Sequence, residues 1–160
     1  MPRASRSLLS RGIALLARRE HSQAELTRKL APHAESPEQL EAVLAQLTQA
    51  GLQSDSRFAE SVVRVRGQGY GLARLRQELS QRGVAEAQSQ SALAQACASE
   101  AQRFYQVWHK RFQAPPEDLT QRLKQQRFLL SRGFAPGLYR DLERRGFAPP
   151  ESDSPENPAC

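Results

Sequence analysis

The stretch "GQGYGLARLRQELSQRGV", residues 67–84, decides how the rest of the chain is read. Leu72, Leu75 and Leu79 recur at intervals of three and four, the spacing that lines one face of an α-helix. Gly67, Gly69 and Gly71 stand just before that stripe. They do not make a phosphate-cradling loop, which needs a preceding buried strand and a spacing such as G-x-G-x-x-G; a helical pattern precedes them, and Leu72 stands where the third glycine belongs. The glycines predict instead a tight corner between two helices. Positive φ at glycine would stop the first helix, Gly71 would open the second, and Tyr70 would pack in the corner.

Upstream, Ser54 or Asp55 opens a helix with Phe58, Val62 and Val65 on one face. Ser36, Pro37 and Gln39 start another before "LEAVLAQLTQAG", with proline at the first helical position and Gly51 as the stop. Ser22 and Glu25 have the spacing of a capping box, in which the serine oxygen accepts from the third helical N–H and the glutamate reaches back. Period-two alternation and β-branched clusters are nearly absent, so the predicted fold class is all-α. Three segments then align at offsets of 49 and 50 residues: "AELTRKLA", "LARLRQELSQRGV" and "RLKQQRFLLSRGF". Glu25, Arg74 and Lys124 coincide, as do Leu30, Leu79 and Leu129. Arg82-Gly83-Val84 matches Arg132-Gly133-Phe134, while Gln125 replaces the leucine found at Leu26 and Leu75. A period near 50 with about three helices in each is the mark of a repeat array. The expected organisation is a flexible start at 1–7, three-helix repeats at 8–52, 53–97 and 98–148, and a disordered acidic tail at 149–160, where "PPESDSPENPAC" lacks the apolar groups that would offset ordering.

A formal charge of +6 and a pI near 10.0 on 160 residues favour anionic partners. Of 23 basic residues only three are lysines. Arginine suits a bidentate grip on phosphate or carboxylate, although a GC-rich genome produces the same skew. Residues 57–84 hold six arginines and two glutamates, whereas 31–56 hold four acids and neither Lys nor Arg. This segregation points to a binding surface. Phe104, Trp108 and Phe112, joined by Tyr105, form a stripe near Arg103, Lys110 and Arg111 that could stack bases, but such spacing is more often core. His21, His33 and His109 are scattered without metal-ligand spacing, and Cys97 and Cys160 suggest reduced thiols rather than a disulfide framework. No catalytic constellation, cofactor site or metal site is expected. The apolar run near the start is cut by Arg11, Gly12 and Arg18, so no membrane span is predicted.

Three stretches carry a resemblance to a known family: "LLARREHSQAELTRKL" (15–30), "GLQSDSRFAESVVRVRGQGYGLARLRQELSQRGV" (51–84) and "RLKQQRFLLSRGF" (122–134). Over residues 8–148 the chain resembles the RecX family of bacterial regulators of the RecA recombinase. The middle stretch is the most diagnostic: Gly51, Asp55, Arg57, Phe58 and Ala59 satisfy its first half, and Gly71, Arg74, Leu75, Glu78, Leu79, Arg82 and Gly83 its second. Leu52, Gln53 and Ser54 stand where Tyr, Leu and Asp are usual, a weaker apolar anchor that leaves Ser54 able to cap. The resemblance implies three tandem three-helix repeats in an elongated, curved array. It also implies a non-enzymatic modulator that lies in the groove of the RecA filament on single-stranded DNA and suppresses ATP hydrolysis, strand exchange and coprotease activity; the reduced thiols fit a cytoplasmic setting, and a monomer is expected. Affinity for the single strand alone would be weak. Arg57, Arg64, Arg74 and Arg82, with Lys124, Arg127 and Arg132, are the expected contacts. Two other readings fit the residues: a stand-alone helical DNA-binding module with steep salt dependence, and an adaptor repeat protein for another acidic partner.

Overall fold

The computed structural model describes residues 7–151; the readings of a flexible start and of an acidic tail fall largely outside them. The described residues are helical throughout, without strands. In order, the helices are α1 (Leu8–Leu16), α2 (Gln23–Leu30), a 3₁₀ turn (Ala31–His33), α3 (Pro37–Gln49), α4 (Asp55–Arg66), α5 (Leu72–Gln81), α6 (Glu86–Ala98), α7 (Glu100–Phe112), α8 (Leu119–Ser131) and α9 (Gly137–Arg144). The predicted helix starts are present. Ser22 Oγ accepts from Glu25 N–H at 3.1 Å, Ser36 Oγ from Gln39 N–H at 3.2 Å, and Ser54 Oγ from Arg57 N–H at 3.2 Å. Each such cap contributes about 1 kcal/mol by satisfying an otherwise orphaned donor.

The chain forms two compact units, whose division passes through α4, α5 and α6. The first comprises the chain up to Ser61 with Leu79–Ser89. Its core is leucine: Leu8, Leu26, Leu30, Leu44 and Leu47, flanked by Leu15, Leu16 and Val43. Full burial of one such side chain is worth about 1.5–3 kcal/mol. The second unit comprises Val62–Glu78 and the chain from Gln90 onward. Its core is aromatic, with Phe104, Trp108, Phe134 and Tyr139 packed on Leu129, Leu138 and Leu142. The Phe104 and Trp108 rings are therefore core and not a stacking platform, and Tyr105 lies against His109 with ring centroids 5.7 Å apart.

The same joint occurs once in each unit. In the first, Ser22 Oγ at the start of α2 donates to the Arg82 carbonyl at 2.7 Å. A Cβ added at Gly83 would lie 2.5 Å from the Ala24 Cβ. In the second, the N–H of Gly71 at the start of α5 donates to the Arg132 carbonyl at 2.8 Å, and Ala73 N–H donates to the Gly133 carbonyl at 3.2 Å. A Cβ at Gly133 would lie 2.6 Å from the Cβ and the N of Arg74. Gly83 and Gly133 both adopt left-handed backbone, φ +74° and +83°, which disfavours any residue with a side chain. The two matching arginine–glycine turns of the sequence thus seat on the starts of α2 and α5. At the third position of the register Leu123 replaces Ala24 and Ala73, and it is 40% exposed.

One expectation is corrected. Gly67, Gly69 and Gly71 are not among the positive-φ residues. The corner needs glycine for proximity: a Cβ on Gly71 would run into the backbone of Gly133 and Phe134, and one on Gly67 into the Val63 carbonyl.

Candidate functional site

The corner of the opening stretch is where the second unit gathers its guanidinium groups. α4 ends at Arg66 and α5 begins at Leu72. Tyr70 sits between them, with Arg66 4.5 Å, Arg132 5.0 Å and Arg74 6.0 Å from its ring centroid. A ring face attracts a cation by roughly 0.5–1 kcal/mol at a partly exposed site, so the tyrosine holds three like charges near one another. Glu78 of α5 takes Arg66 Nε at 3.0 Å, and that hydrogen bond is the main reason the guanidinium is held more firmly protonated than usual.

Arg103, from α7, supports the corner from within. It donates to the carbonyls of Gly67 at 2.9 Å, Tyr70 at 2.6 Å and Ala96 at 2.6 Å. These contacts satisfy acceptors left open just past the end of α4 and in the last turn of α6. Burial lowers its pKa, with the charge of Glu100 opposing the shift. Glu100, 1% exposed, accepts Leu72 N–H at 2.9 Å and so closes the first turn of α5. Neither role was readable from the sequence, because Gly67 and Tyr70 lie 36 and 33 residues from Arg103, and Leu72 lies 28 from Glu100.

The seven cations singled out from the sequence fall into distinct environments. In the first unit Arg57 pairs with Glu20 at 3.0 Å and donates to the Leu52 carbonyl at 3.1 Å. Arg82 pairs there with Glu25 Oε1 at 3.0 Å, while Arg19 takes the other oxygen, Glu25 Oε2, at 3.0 Å. Both carboxylate oxygens of Glu25 are thereby engaged by arginines, so the reach-back arm of the capping box gives way to a two-arginine clamp. Burial raises the Glu25 pKa, but the Arg19 hydrogen bond and the charges of Arg19 and Arg82 bring it below the usual value. In the second unit Arg132 is half-buried over Tyr70 and Phe128, each 5.0 Å away. Arg64, Arg74, Lys124 and Arg127 are exposed and make no ion pair among the described residues. The structure thus brings Arg74 and Arg132 together with Arg66, a cation the sequence reading had not selected; its signal was only its place two residues after Arg64 and four before Tyr70.

The departures from the usual pattern are also accounted for. Gln53 is 4% exposed, and its amide bonds Thr48 Oγ1 at 3.1 Å and Asp55 Oδ1 at 2.8 Å. Gln125 accepts from Trp108 Nε1 and Tyr139 Oη, both at 2.9 Å, and donates to the Ala114 carbonyl at 3.2 Å. Burial raises the Tyr139 phenol to about 12, with the Glu143 charge adding to the shift. No group of three or more His, Cys, Asp or Glu poised for a metal occurs among the described residues, and no described helix is long and apolar enough to cross a membrane.

The described residues are thus helical, with two matching arginine–glycine turns and cations gathered around an aromatic corner. Comparisons give this arrangement its family. Residues 54–93 match the model of the RecX second three-helix domain, and residues 98–142 that of the third. The chain is 48% identical over 135 residues to the regulatory protein RecX of Ralstonia nicotianae, spanning 84% of this chain and 85% of that one. It is 44% identical to that of Leptothrix cholodnii, with 86% and 88% covered. A crystal structure of regulatory protein RecX superposes with a TM-score of 0.70 at 25% identity, covering 86% of this chain and 71% of the other. A crystal structure of RecX from Lactobacillus salivarius shares the fold, with a TM-score of 0.72 at 18% identity and coverage of 86% and 96%. The chain belongs to the RecX family of regulatory proteins.

Proposed function

We propose that the chain regulates the RecA recombinase by binding its nucleoprotein filament on single-stranded DNA, lowering ATP hydrolysis, strand exchange and coprotease activity. DNA recombination, repair and the SOS response in the cytoplasm would be its setting. The observation that carries this reading is the 48% identity to a regulatory protein RecX across most of both chains. The cationic corner supports it, since exposed arginines near an aromatic ring suit a partner rich in phosphate and carboxylate. Residues 8–52, 53–97 and 98–148 serve as three successive modules in this account, acting as a monomer.

The seven cations divide the work. Arg74, with Arg64, Lys124, Arg127 and the outer edge of Arg132, meets the filament. Arg57 and Arg82 hold their own unit together through Glu20 and Glu25. The test is ATP turnover by the cognate RecA on single-stranded DNA, titrated with the protein at substoichiometric ratios. Wild type is expected to inhibit. Arg74→Glu combined with Arg127→Glu is expected to raise the half-inhibitory concentration about tenfold or more with an unchanged helical spectrum and melting midpoint, as loss of roughly 1.4 kcal/mol of binding would do. Equal inhibition by that variant removes this surface; absence of inhibition by wild type removes the RecA reading.

A further inference from the structure

The outer face of α8 carries three leucines that the core does not use. Leu119, Leu123 and Leu130 are 63%, 40% and 49% exposed. Spacings of four and seven set them along one side of the helix, a stripe roughly 16 Å long. Leu129 turns instead into the core, where it is fully buried. α8 is thus apolar on two sides, and packing within the second unit covers only one. Leu130 continues the stripe into a cleft of about 220 Å³, whose apolar walls include Phe104, Leu129, Phe134 and Tyr139.

The other two modules have no such stripe. Ala24 and Ala73 hold the register position of Leu123, and Ala31 and Ser80 that of Leu130. Leu119 belongs to an added first turn, since α8 begins three residues ahead of the point that aligns with the start of α5. The starts of α2 and α5 each receive an arginine–glycine turn, whereas no such turn among the described residues bonds to the start of α8. A single exposed leucine is ordinary on a protein surface; three in line, continued by a cleft, mark an interaction face.

The charges around the stripe select the occupant. Arg127, four residues after Leu123 and three before Leu130, flanks it, and Arg140 of α9 lines the cleft. Both are exposed and make no ion pair among the described residues. α8 contains no acidic residue, and the two of α9 are engaged, Asp141 by Arg144 at 3.0 Å and Glu143 by Arg122. Asp118, just ahead of Leu119, caps the Gln121 N–H at 2.7 Å. Arginines bordering an aliphatic strip complement a helix with carboxylates on either side of an apolar face. A nucleic-acid strand would use the arginines but not the leucines, because bases stack on aromatic rings.

We propose that the outer face of α8 docks an acidic amphipathic helix of a protein partner. The partner's apolar side chains lie along Leu119, Leu123 and Leu130, one of them entering the cleft, and its carboxylates meet Arg127 and Arg140. The filament reading uses the cations of α8, whereas this inference turns on its leucines and goes beyond that reading. Its test contains neither RecA nor DNA, so either can fail alone.

The test is fluorescence anisotropy of the full chain with a labelled helical peptide of about sixteen residues, leucines recurring every three or four positions and glutamate and alanine between them. A second peptide carries lysine for glutamate. Saturable binding of the acidic peptide with Kd below about 100 µM, weaker about tenfold or more for the lysine peptide and for Leu123→Ser with Leu130→Ser, supports the site. No binding in that range, equal affinity for both peptides, or indifference to the serine substitutions overturns it. Self-association in sedimentation velocity that the double variant abolishes overturns it too, and assigns the face to a second copy of the chain. Leu123→Met with Leu130→Met keeps the surface apolar and is expected to bind within a few-fold of wild type; coincident melting curves of all variants separate loss of the face from loss of the fold.

Discussion

At Gly71 the missing side chain is a packing requirement. Its N–H reaches the Arg132 carbonyl at 2.8 Å, and any Cβ would enter the Gly133–Phe134 backbone, which has no rotamer with which to yield. Gly71→Ala should destabilise the protein by about 1–3 kcal/mol, the usual range for forcing volume into a filled site. Gly137→Ala, with nothing within 4 Å, should be neutral or slightly stabilising. Paired urea unfolding curves check the contrast; equal midpoints would mean that the corner relaxes freely. The sequence showed that glycine matters here but assigned the wrong reason, because close approach depends on a turn about sixty residues onward. The arginines were half legible in the same way. The register exposed the kinship of Arg82 and Arg132, yet whether a guanidinium faces outward or meets Glu25 is decided in three dimensions.

At the level of the helix, periodicity did most of the work. The stripes of α5 and α7 and the serine caps of α2, α3 and α4 followed from spacing alone, since each depends on neighbours within a turn or two. What spacing could not convey was the interior of α8. Gln125 looks like damage to a leucine register, yet it satisfies two buried donors at once, Trp108 Nε1 and Tyr139 Oη. Restoring the leucine would leave both without an acceptor, at about 1–3 kcal/mol each. Gln125→Leu should therefore lower stability by roughly 2 kcal/mol or more, despite greater apolarity and better agreement with Leu26 and Leu75. Thermal melts of that variant against Trp108→Phe and the double substitution check it, because the indole share of the penalty should shrink when its donor is gone.

Across the molecule, acid should act in two stages. Burial lowers the pKa of His21 from the ordinary 6.5, its bond to the Arg19 carbonyl only partly opposing this. The unfolded chain then takes the proton more readily, so stability is full above about pH 6.5 and declines as pH falls below it. Glu25 and Glu143 are lowered from 4.5, Glu25 by its two arginines against the effect of burial and Glu143 chiefly by its hydrogen bond with Arg122. Their contributions are present above about 4.5 and are lost as pH falls through the folded values. Melting midpoints between pH 8 and 3 should be flat, then slope, then fall steeply. His21→Gln should erase the first slope and keep the second; persistence of the first slope would place the early proton elsewhere.

The seat of each arginine–glycine turn has a genealogical consequence: Ala24 lies under Gly83, and Ala73 offers its N–H to the Gly133 carbonyl. A copy duplicated internally, ahead of the closing triplet, inherits an alanine at that register position. One joined after α9 and docking at the same register on α8 would meet the isobutyl group of Leu123 instead. Lineages that lengthen this scaffold should therefore gain their new modules in the middle, leaving the final one as a stopper.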